Sequence, residues 1–254
     1  MSASSPDDSG PAIDWSPVPR SRAHELVIDA IEDQVMAGRL TVGDSLPPER
    51  DLATKLEVSR ASVREAIRVL ESQGVLQSRV GSGRSAGTVI TAMPSAALTR
   101  LLRMHVGLSN FPVDDVVEVR VALERASVLL AAEHADEERL AAIREPLDRM
   151  ESAEVPLEEF NDADTAFHVA IAEAAGNRLV ADLTTAIRSS LRQVILRAFH
   201  DMDDSQDLRQ SLQAQHREIY AAIAAGDGPR GTRLTEEHIR FAHRALPEMR
   251  RPAS

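Results

Sequence analysis

The run at residues 46–71, LPPERDLATKLEVSRASVREAIRVLE, constrains this chain more tightly than any other segment. Pro47 and Pro48 fit only at the entry to a helix, where a missing N–H costs nothing. Leu52, Ala53 and Leu56 then supply an apolar stripe at helical spacing, which Val58-Ser59 interrupts. Ser59 or Ser62 can cap the next helix, and with Ser62 as the cap Glu65 would complete a capping box. Val63, Ala66, Ile67 and Leu70 form the buried stripe of that second helix, and Gly74 ends it. Two short helices across a tight turn predict a helix-turn-helix. Arg60, Arg64 and Arg68 recur every four residues and so line one face of the second helix. Such a face is either solvated surface or a reading edge. Docked N-terminus first in a major groove, it pairs with guanine edges and phosphates.

The surrounding pattern favours the second alternative. From the helix at residues 23–38 through GRLTVGDSLPPERDLA and VSRASVREAIRVLESQGVL, the chain closely resembles the N-terminal domain of the GntR family of bacterial transcription regulators. That resemblance implies a winged helix-turn-helix in which Arg50, Arg60 and Arg64 contact bases or adjacent phosphates. Ser59 and Ser62 would hold DNA backbone. The VGSG at residues 80–83 would be the wing tip, placing Gly81, Ser82 and Gly83 against the minor groove. RSAG at residues 84–87 separates this tip from Thr88-Val89-Ile90, so the wing is longer than the family's usual one.

With 254 residues, the chain can bury one large core or two smaller ones. The absence of cysteine excludes disulfides, thiolate metal sites and a cysteine nucleophile. No apolar run approaches the ~20 residues needed to span a bilayer, and no signal pattern opens the sequence, so a cytoplasmic location with no membrane partner is expected. The net charge of −11 is unevenly spread. Residues 21–92 carry nine bases and ten acids, whereas residues 93–254 carry nineteen bases and twenty-seven acids. The acidity thus lies mostly away from the expected reading head, whose specificity would depend on a few placed arginines and on dimerisation. Lys55 is the only lysine. Nothing after residue 92 could therefore form the Schiff base of a pyridoxal-type domain.

Residues 1–20 are rich in Ser, Pro, Asp and Gly and read as a disordered tail. The winged domain is expected over 21–92, a linker over 93–95, and a helical domain over 96–250. Within the last, period-3.6 segments predict helices near 96–108, 113–134, 136–150, 157–175, 177–200, 204–225 and 229–246. Short connections between helices of similar length predict an antiparallel bundle of about seven helices, so the fold class is mainly α with a small β-wing.

Asp164 and His168 are four residues apart, on one helical face. His216 and His238 each stand eleven residues from Asp227, in the break between the last two helices. In a hairpin they lie at one height, about 16 Å from the turn. Three imidazoles and a carboxylate suit Zn, Ni, Mn or Fe and leave positions for other ligands. An Asp-x-x-x-His pair can equally be a surface salt bridge. His24, His105, His134, His200 and His243 lack convergent partners in the sequence and read as surface or packing residues.

The segments DADTAFHVAIAEAAGNRLV, QHREIYAAIAAGD and EEHIRFAH resemble the metal-binding branch of the FCD effector domain, which follows this winged helix in the FadR subfamily. The resemblance implies that Asp164, His168, His216 and His238 hold a divalent ion. The extra helix at 96–108 is similar to the seven-helix type. Arg120 in VRVALE matches the arginine placed over the family's cavity, and Asn177 matches a polar pocket residue. Arg120 can equally bridge to Glu124 at i, i+4. An ion with open positions beside a guanidinium favours a small carboxylate.

The expectation is thus a homodimeric repressor that reads a pseudo-palindromic double-stranded operator under the control of a small organic acid. Two rivals remain. A metal-dependent hydrolase would need a base near the ion, and Glu173 and Asp162 have no i, i+4 relation to a ligand. The other rival is a purely structural ion with no small-molecule effector.

Overall fold

The computed structural model describes residues 23–79, 87–91, 95–108, 110–151, 155–202 and 205–246. The expected tail and the wing-tip residues Gly81, Ser82 and Gly83 lie outside the described residues. The chain forms two compact units, one holding residues up to 71 together with 76–90, the other 72–75 and everything from 91 onward.

In the first unit, α1 (Ala23–Met36), α2 (Glu49–Lys55) and α3 (Arg60–Ser72) precede a two-stranded antiparallel sheet, β1 (Leu76–Arg79) and β2 (Gly87–Ile90). Leu76 pairs with Ile90 and Arg79 with Gly87, and an isolated bridge from Ser45 to Val89 extends the sheet. The apolar positions of the 46–71 run are the buried ones: Leu52 and Ala53 on α2, and Val63, Ala66, Ile67 and Leu70 on α3. Ser59 caps α3, accepting from the Ser62 backbone N–H at 3.0 Å, and the two hydroxyls meet at 2.8 Å. Ser62 therefore lies inside the first turn, and of the two possible caps it is the earlier one that forms. The α2–α3 turn passes through Glu57 at φ +54°, a left-handed conformation that L side chains adopt at a cost.

Among the described residues of the second unit the regular elements are all helices: α4 (Ser95–Gly107), α5 (Val113–His134), α6 (Glu137–Met150), α7 (Leu157–Ala174), α8 (Arg178–His200), α9 (Ser205–Ala224) and α10 (Gly228–Ala245). The mainly helical class and the small sheet after a helix-turn-helix are as the sequence predicts. No described helix is long and apolar enough to cross a membrane. Val128, Phe160, Phe167, Ile171, Ile219 and Ile239 are among the core side chains that α5, α7, α9 and α10 bury together.

Two local devices set the positions that matter below. At the α9–α10 turn Gly226, at φ +69°, lets its own N–H reach Ile223 O at 2.9 Å and the next N–H, of Asp227, reach Ala222 O at 2.9 Å. This is a Schellman ending. Asp227 then caps α10, accepting from Arg230 N–H at 3.1 Å, with Pro229 in the first turn. The chain reverses within the three residues Ala225, Gly226 and Asp227. In addition, α10 presents Gly228 and Gly231 to α5: a Cβ at Gly231 would lie 2.7 Å from Val128 Cγ1, and one at Gly228 2.8 Å from Leu129 Cδ1. Glycine is what lets these helices approach so closely.

Candidate metal centre

Five helices of the second unit bring charged side chains to one buried place. From α7 come Asp164 and His168, one turn apart; α9 supplies His216 and α10 supplies His238. One ligand atom from each of the four lies within 4.8 Å of the others. All three histidines are buried, with His216 fully enclosed. His168 Nε2 is 3.3 Å from His216 Nε2, which is 3.1 Å from Asp164 Oδ1. Two ligand atoms on one ion, each about 2.1 Å from it, stand about 3.0–3.4 Å apart, so these separations fit a shared divalent cation.

The orientation of the rings agrees. His168 Nδ1 is 2.7 Å from Glu124 Oε2, and a carboxylate can only accept, so the proton lies on Nδ1 and the Nε2 lone pair faces the cluster. His238 Nδ1 is likewise held, 2.9 Å from Gln215 Oε1. His216 Nδ1 is buried without a hydrogen-bond partner among the described residues. Burial, with the adjacent Arg188 charge, pushes the His168 imidazole down to about 4, and burial beside His216 and His168 holds His238 well below its ordinary value. Both are neutral at pH 7, the form that donates a lone pair.

Beneath the cluster lies a pair of arginines and a pair of carboxylates. Glu124 Oε1 accepts from Arg120 Nε at 2.7 Å and Arg188 Nε at 2.9 Å, while Oε2 accepts from His168 and from Arg188 Nη2 at 3.1 Å. Arg188 Nη1 also donates to Asp164 Oδ2 at 2.7 Å, leaving Oδ1 toward His216. Burial would raise both carboxyls, but the Arg188 guanidinium keeps Glu124 and Asp164 well below the usual carboxylate range. With both arginines charged, the four-residue network is neutral before any ion enters. Arg120 therefore makes the i, i+4 bridge to Glu124 and also lines a cavity beside the cluster.

That cavity is narrow, about 20 Å³, room for about one water. Its lining combines the polar Arg120, Asn161, Asp164, His238 and His243 with the apolar Phe160, Ile195, Phe199, Leu212, Ala242 and Leu246. Two expectations need adjustment. Asn177 is exposed, caps α8 by accepting from Val180 N–H at 3.2 Å, and is not among the cavity residues. His243, five positions beyond His238, is nonetheless brought to the cavity wall, with Nε2 2.8 Å from Asp114 Oδ1 and a buried Nδ1 without a hydrogen-bond partner among the described residues.

Sequence reasoning passed over Glu124 as a partner of His168 and did not consider Arg188. The one available signal was an arginine inside the buried stripe Ala181-Thr184-Ile187-Leu191 of α8.

In the first unit, Arg50, Arg60, Arg64 and Arg68 are all exposed. Arg64 Nη2 pairs with Glu49 Oε2 at 3.0 Å, Arg50 Nε with Asp51 at 3.1 Å, and Arg68 with Glu65 at 3.8 Å. These pairs are solvent-exposed and weak, so the guanidinium groups can exchange them for other anions.

Comparison with known proteins agrees with both halves. Residues 23–85 match the model of the bacterial regulatory proteins of the gntR family, and residues 115–241 match the FCD domain. The chain is 31% identical over 203 residues to the HTH-type transcriptional regulator LutR of Bacillus subtilis, covering 80% of this chain and 91% of that one. It is 25% identical to the Glc operon transcriptional activator of Escherichia coli K12, with 89% of each covered. It is 27% identical to the HTH-type transcriptional repressor NanR of Salmonella newport, covering 92% and 89%. A solved structure of Streptococcus agalactiae GntR shares the fold, with a TM-score of 0.61 at 23% identity, covering 87% of this chain and 99% of that one. The chain belongs to the gntR family of bacterial regulatory proteins, as a transcriptional regulator that carries an FCD domain.

Proposed function

We propose that this regulator is of the FadR subfamily and acts as a homodimeric repressor whose hold on its operator is set by a small carboxylate bound at a divalent ion. The observation that carries the reading is the convergence of Asp164, His168, His216 and His238 within 4.8 Å, beside the buried Arg120. Those four residues would hold the ion, which when bound supplies coordination positions for a carboxylate oxygen. Arg120 offers the guanidinium that pairs with the same carboxylate. Arg188 and Glu124 keep Asp164 ionised and His168 in the lone-pair-inward tautomer.

At the operator, Arg60 and Arg64 would read base edges at the start of α3, with Arg50, Ser59 and Ser62 on phosphates; the wing residues Gly81, Ser82 and Gly83 would follow the minor groove. Two copies would match a pseudo-palindromic site. The acid shifts operator affinity only as far as it binds the two arrangements of the protein unequally.

The test is metal analysis of the purified protein, followed by thermal melting with a panel of carboxylates before and after chelation, and operator binding by fluorescence anisotropy. A single acid that raises the melting temperature only in the metal-loaded protein and weakens operator binding supports the proposal. A reporter that rises on adding that acid fixes the sign as repression. One observation favours a second reading, a structural ion with no effector: the cavity holds about one water. That reading predicts that chelation lowers stability and that no acid changes it. As for a hydrolase, Asp162 pairs with Arg192 at the surface and Glu173 is exposed, so neither side chain serves as a base at the cluster.

A further inference from the structure

We infer that two copies of the second unit join face to face along the exposed side of α5, the start of α8 in each copy seating in a groove of the other. This rests on the homodimer reading above and goes further, to the surface that joins the copies. Helix α5 supplies Val117, Val121, Val128 and Ala131 to the core, yet Val119, Ala122, Ala126 and Leu129 are exposed. Val119 is 50% exposed and Leu129 40%. Their spacings of three, four and three residues place all four on one face, in a strip about 15 Å long. Single apolar residues on a surface are ordinary, whereas a continuous strip at this spacing is a seam for another helix.

The two ends of the strip differ in shape. At its N-terminal end Leu102, Val106, Phe111, Val116, Val119 and Ile187, from α4, α5, α8 and the turn before α5, line an open groove of about 200 Å³. A cavity of about 150 Å³ already holds a benzene ring, so the groove has room for a leucine side chain. At the C-terminal end a leucine protrudes. His134 Nδ1 lies 3.0 Å from Ala175 O, which brings the start of α8 beside the end of α5, and Leu179 there is 65% exposed. In the middle, the small side chains of Ala122 and Ala126 let two helices come close.

The ends also differ in charge. Helix α4 has two arginines and no acid. Of these, Arg103, next to Leu102 and three residues before Val106, is exposed and has no carboxylate partner among the described residues. Glu133, one turn after Leu129 on the strip, is exposed and has no cationic partner among them. Asp115 lines the groove, and Arg178 stands beside Leu179. Arg178 is 3.8 Å from Asp182, an exposed pair that another carboxylate can replace.

A two-fold axis crossing α5 between Ala122 and Ala126 runs the paired helices antiparallel and lays each end of the strip on the other. Leu179 then meets the partner's groove, Leu129 the partner's Val119, Arg103 the partner's Glu133 and Arg178 the partner's Asp115. A parallel pairing would set groove on groove and like charge on like. Such a contact requires a surface that is its own complement, and this strip is one, so its occupant is a second copy of the chain.

The test is sedimentation equilibrium on the full-length protein. Ala126 is exposed, so Ala126→Arg places a charge at the centre of the strip without disturbing the core. The dimer dissociation constant of that variant should rise about 100-fold or more. Arg103→Glu and Glu133→Arg should each weaken the dimer about 3- to 10-fold, and the two together should restore the parent value. If the parent is a dimer and Ala126→Arg dimerises as tightly, this surface is overturned while the homodimer stands, and the strip is left for a partner of another kind. If the double reversal is no tighter than the single variants, the antiparallel pairing is overturned. If the parent sediments as a monomer at every concentration, the homodimer reading itself fails, and this inference with it.

Discussion

Glu124 Oε2 and His168 Nδ1 lie 2.7 Å apart in the interior of the second unit, joining α5 to α7 through a carboxylate–imidazole pair. Partners of this kind fix a ligand's ring and tautomer and raise its basicity. Glu124→Gln should weaken divalent-ion binding by about 10- to 100-fold. Competition against a colorimetric chelator reads this directly; unchanged affinity would remove Glu124 from any role at the ion.

Arg188 is the counter-charge that both buried carboxylates share. Arg188→Met leaves Glu124 and Asp164 with only Arg120 opposite them. A loss of about 3–5 kcal/mol in urea unfolding is expected, the range for breaking a buried pair on one side. A variant as stable as the parent would show that Arg120 alone suffices.

Acid should weaken the chelated protein over a defined window. The folded His168 titrates near 4, below the ordinary histidine value of about 6.5. Between those limits the unfolded chain binds the proton and the folded chain does not, so stability rises with pH. The contribution is complete above about pH 6.5 and is lost as pH falls toward 4. His238 acts in the same direction. Urea midpoints at pH 7.5 and pH 5 should differ accordingly; equal midpoints would contradict the buried neutral imidazoles.

On DNA, Arg60→Ala should cost about 1–3 kcal/mol of operator affinity if Arg60 meets a base, with specificity relaxed at one position. If it meets a phosphate, the loss is uniform across sequences and the salt slope falls by about 1. Glu49→Gln releases Arg64 from its 3.0 Å partner and should tighten binding at low salt. Anisotropy across a salt series distinguishes these outcomes, and weaker binding by Glu49→Gln would mean that the pair presents Arg64 to DNA.

Glu57 carries the left-handed turn between α2 and α3. Glu57→Gly should stabilise the first unit by about 0.5–1 kcal/mol and Glu57→Val destabilise it by more, since a β-branched residue tolerates that conformation least. Calorimetric melting of both variants checks the order.

Much of this architecture was readable because its punctuation is local. Gly74, Pro112, Gly176 and the Gly226–Pro229 break end or begin helices by their own conformational limits, so the helix bounds of the second unit fall within one or two residues of expectation. The approach of His216 to His238 was readable for the same reason: equal distances from a turn are a one-dimensional fact. The Glu124–Arg188 pair was not readable, because its partners are 64 residues apart on helices whose rotation is set by packing. Asn177 was misplaced since a polar residue after Gly176 can cap a helix as well as face a pocket, and capping satisfies a backbone N–H that would otherwise lack a partner. His243 reads from the sequence as a surface or packing residue because no convergent partner is visible there; its partner Asp114 is 129 residues away on another helix.

The three-residue reversal at Ala225-Gly226-Asp227 turns the last two helices into a measuring device. Each helix advances 1.5 Å and turns about 100° per residue, so one residue added between Asp227 and His238 would swing that imidazole out of the cluster. Substitutions along the hairpin change its surface, whereas a one-residue insertion or deletion changes which side chains meet. What this part of the chain must conserve to keep a four-ligand centre is therefore its count, eleven residues out and eleven back.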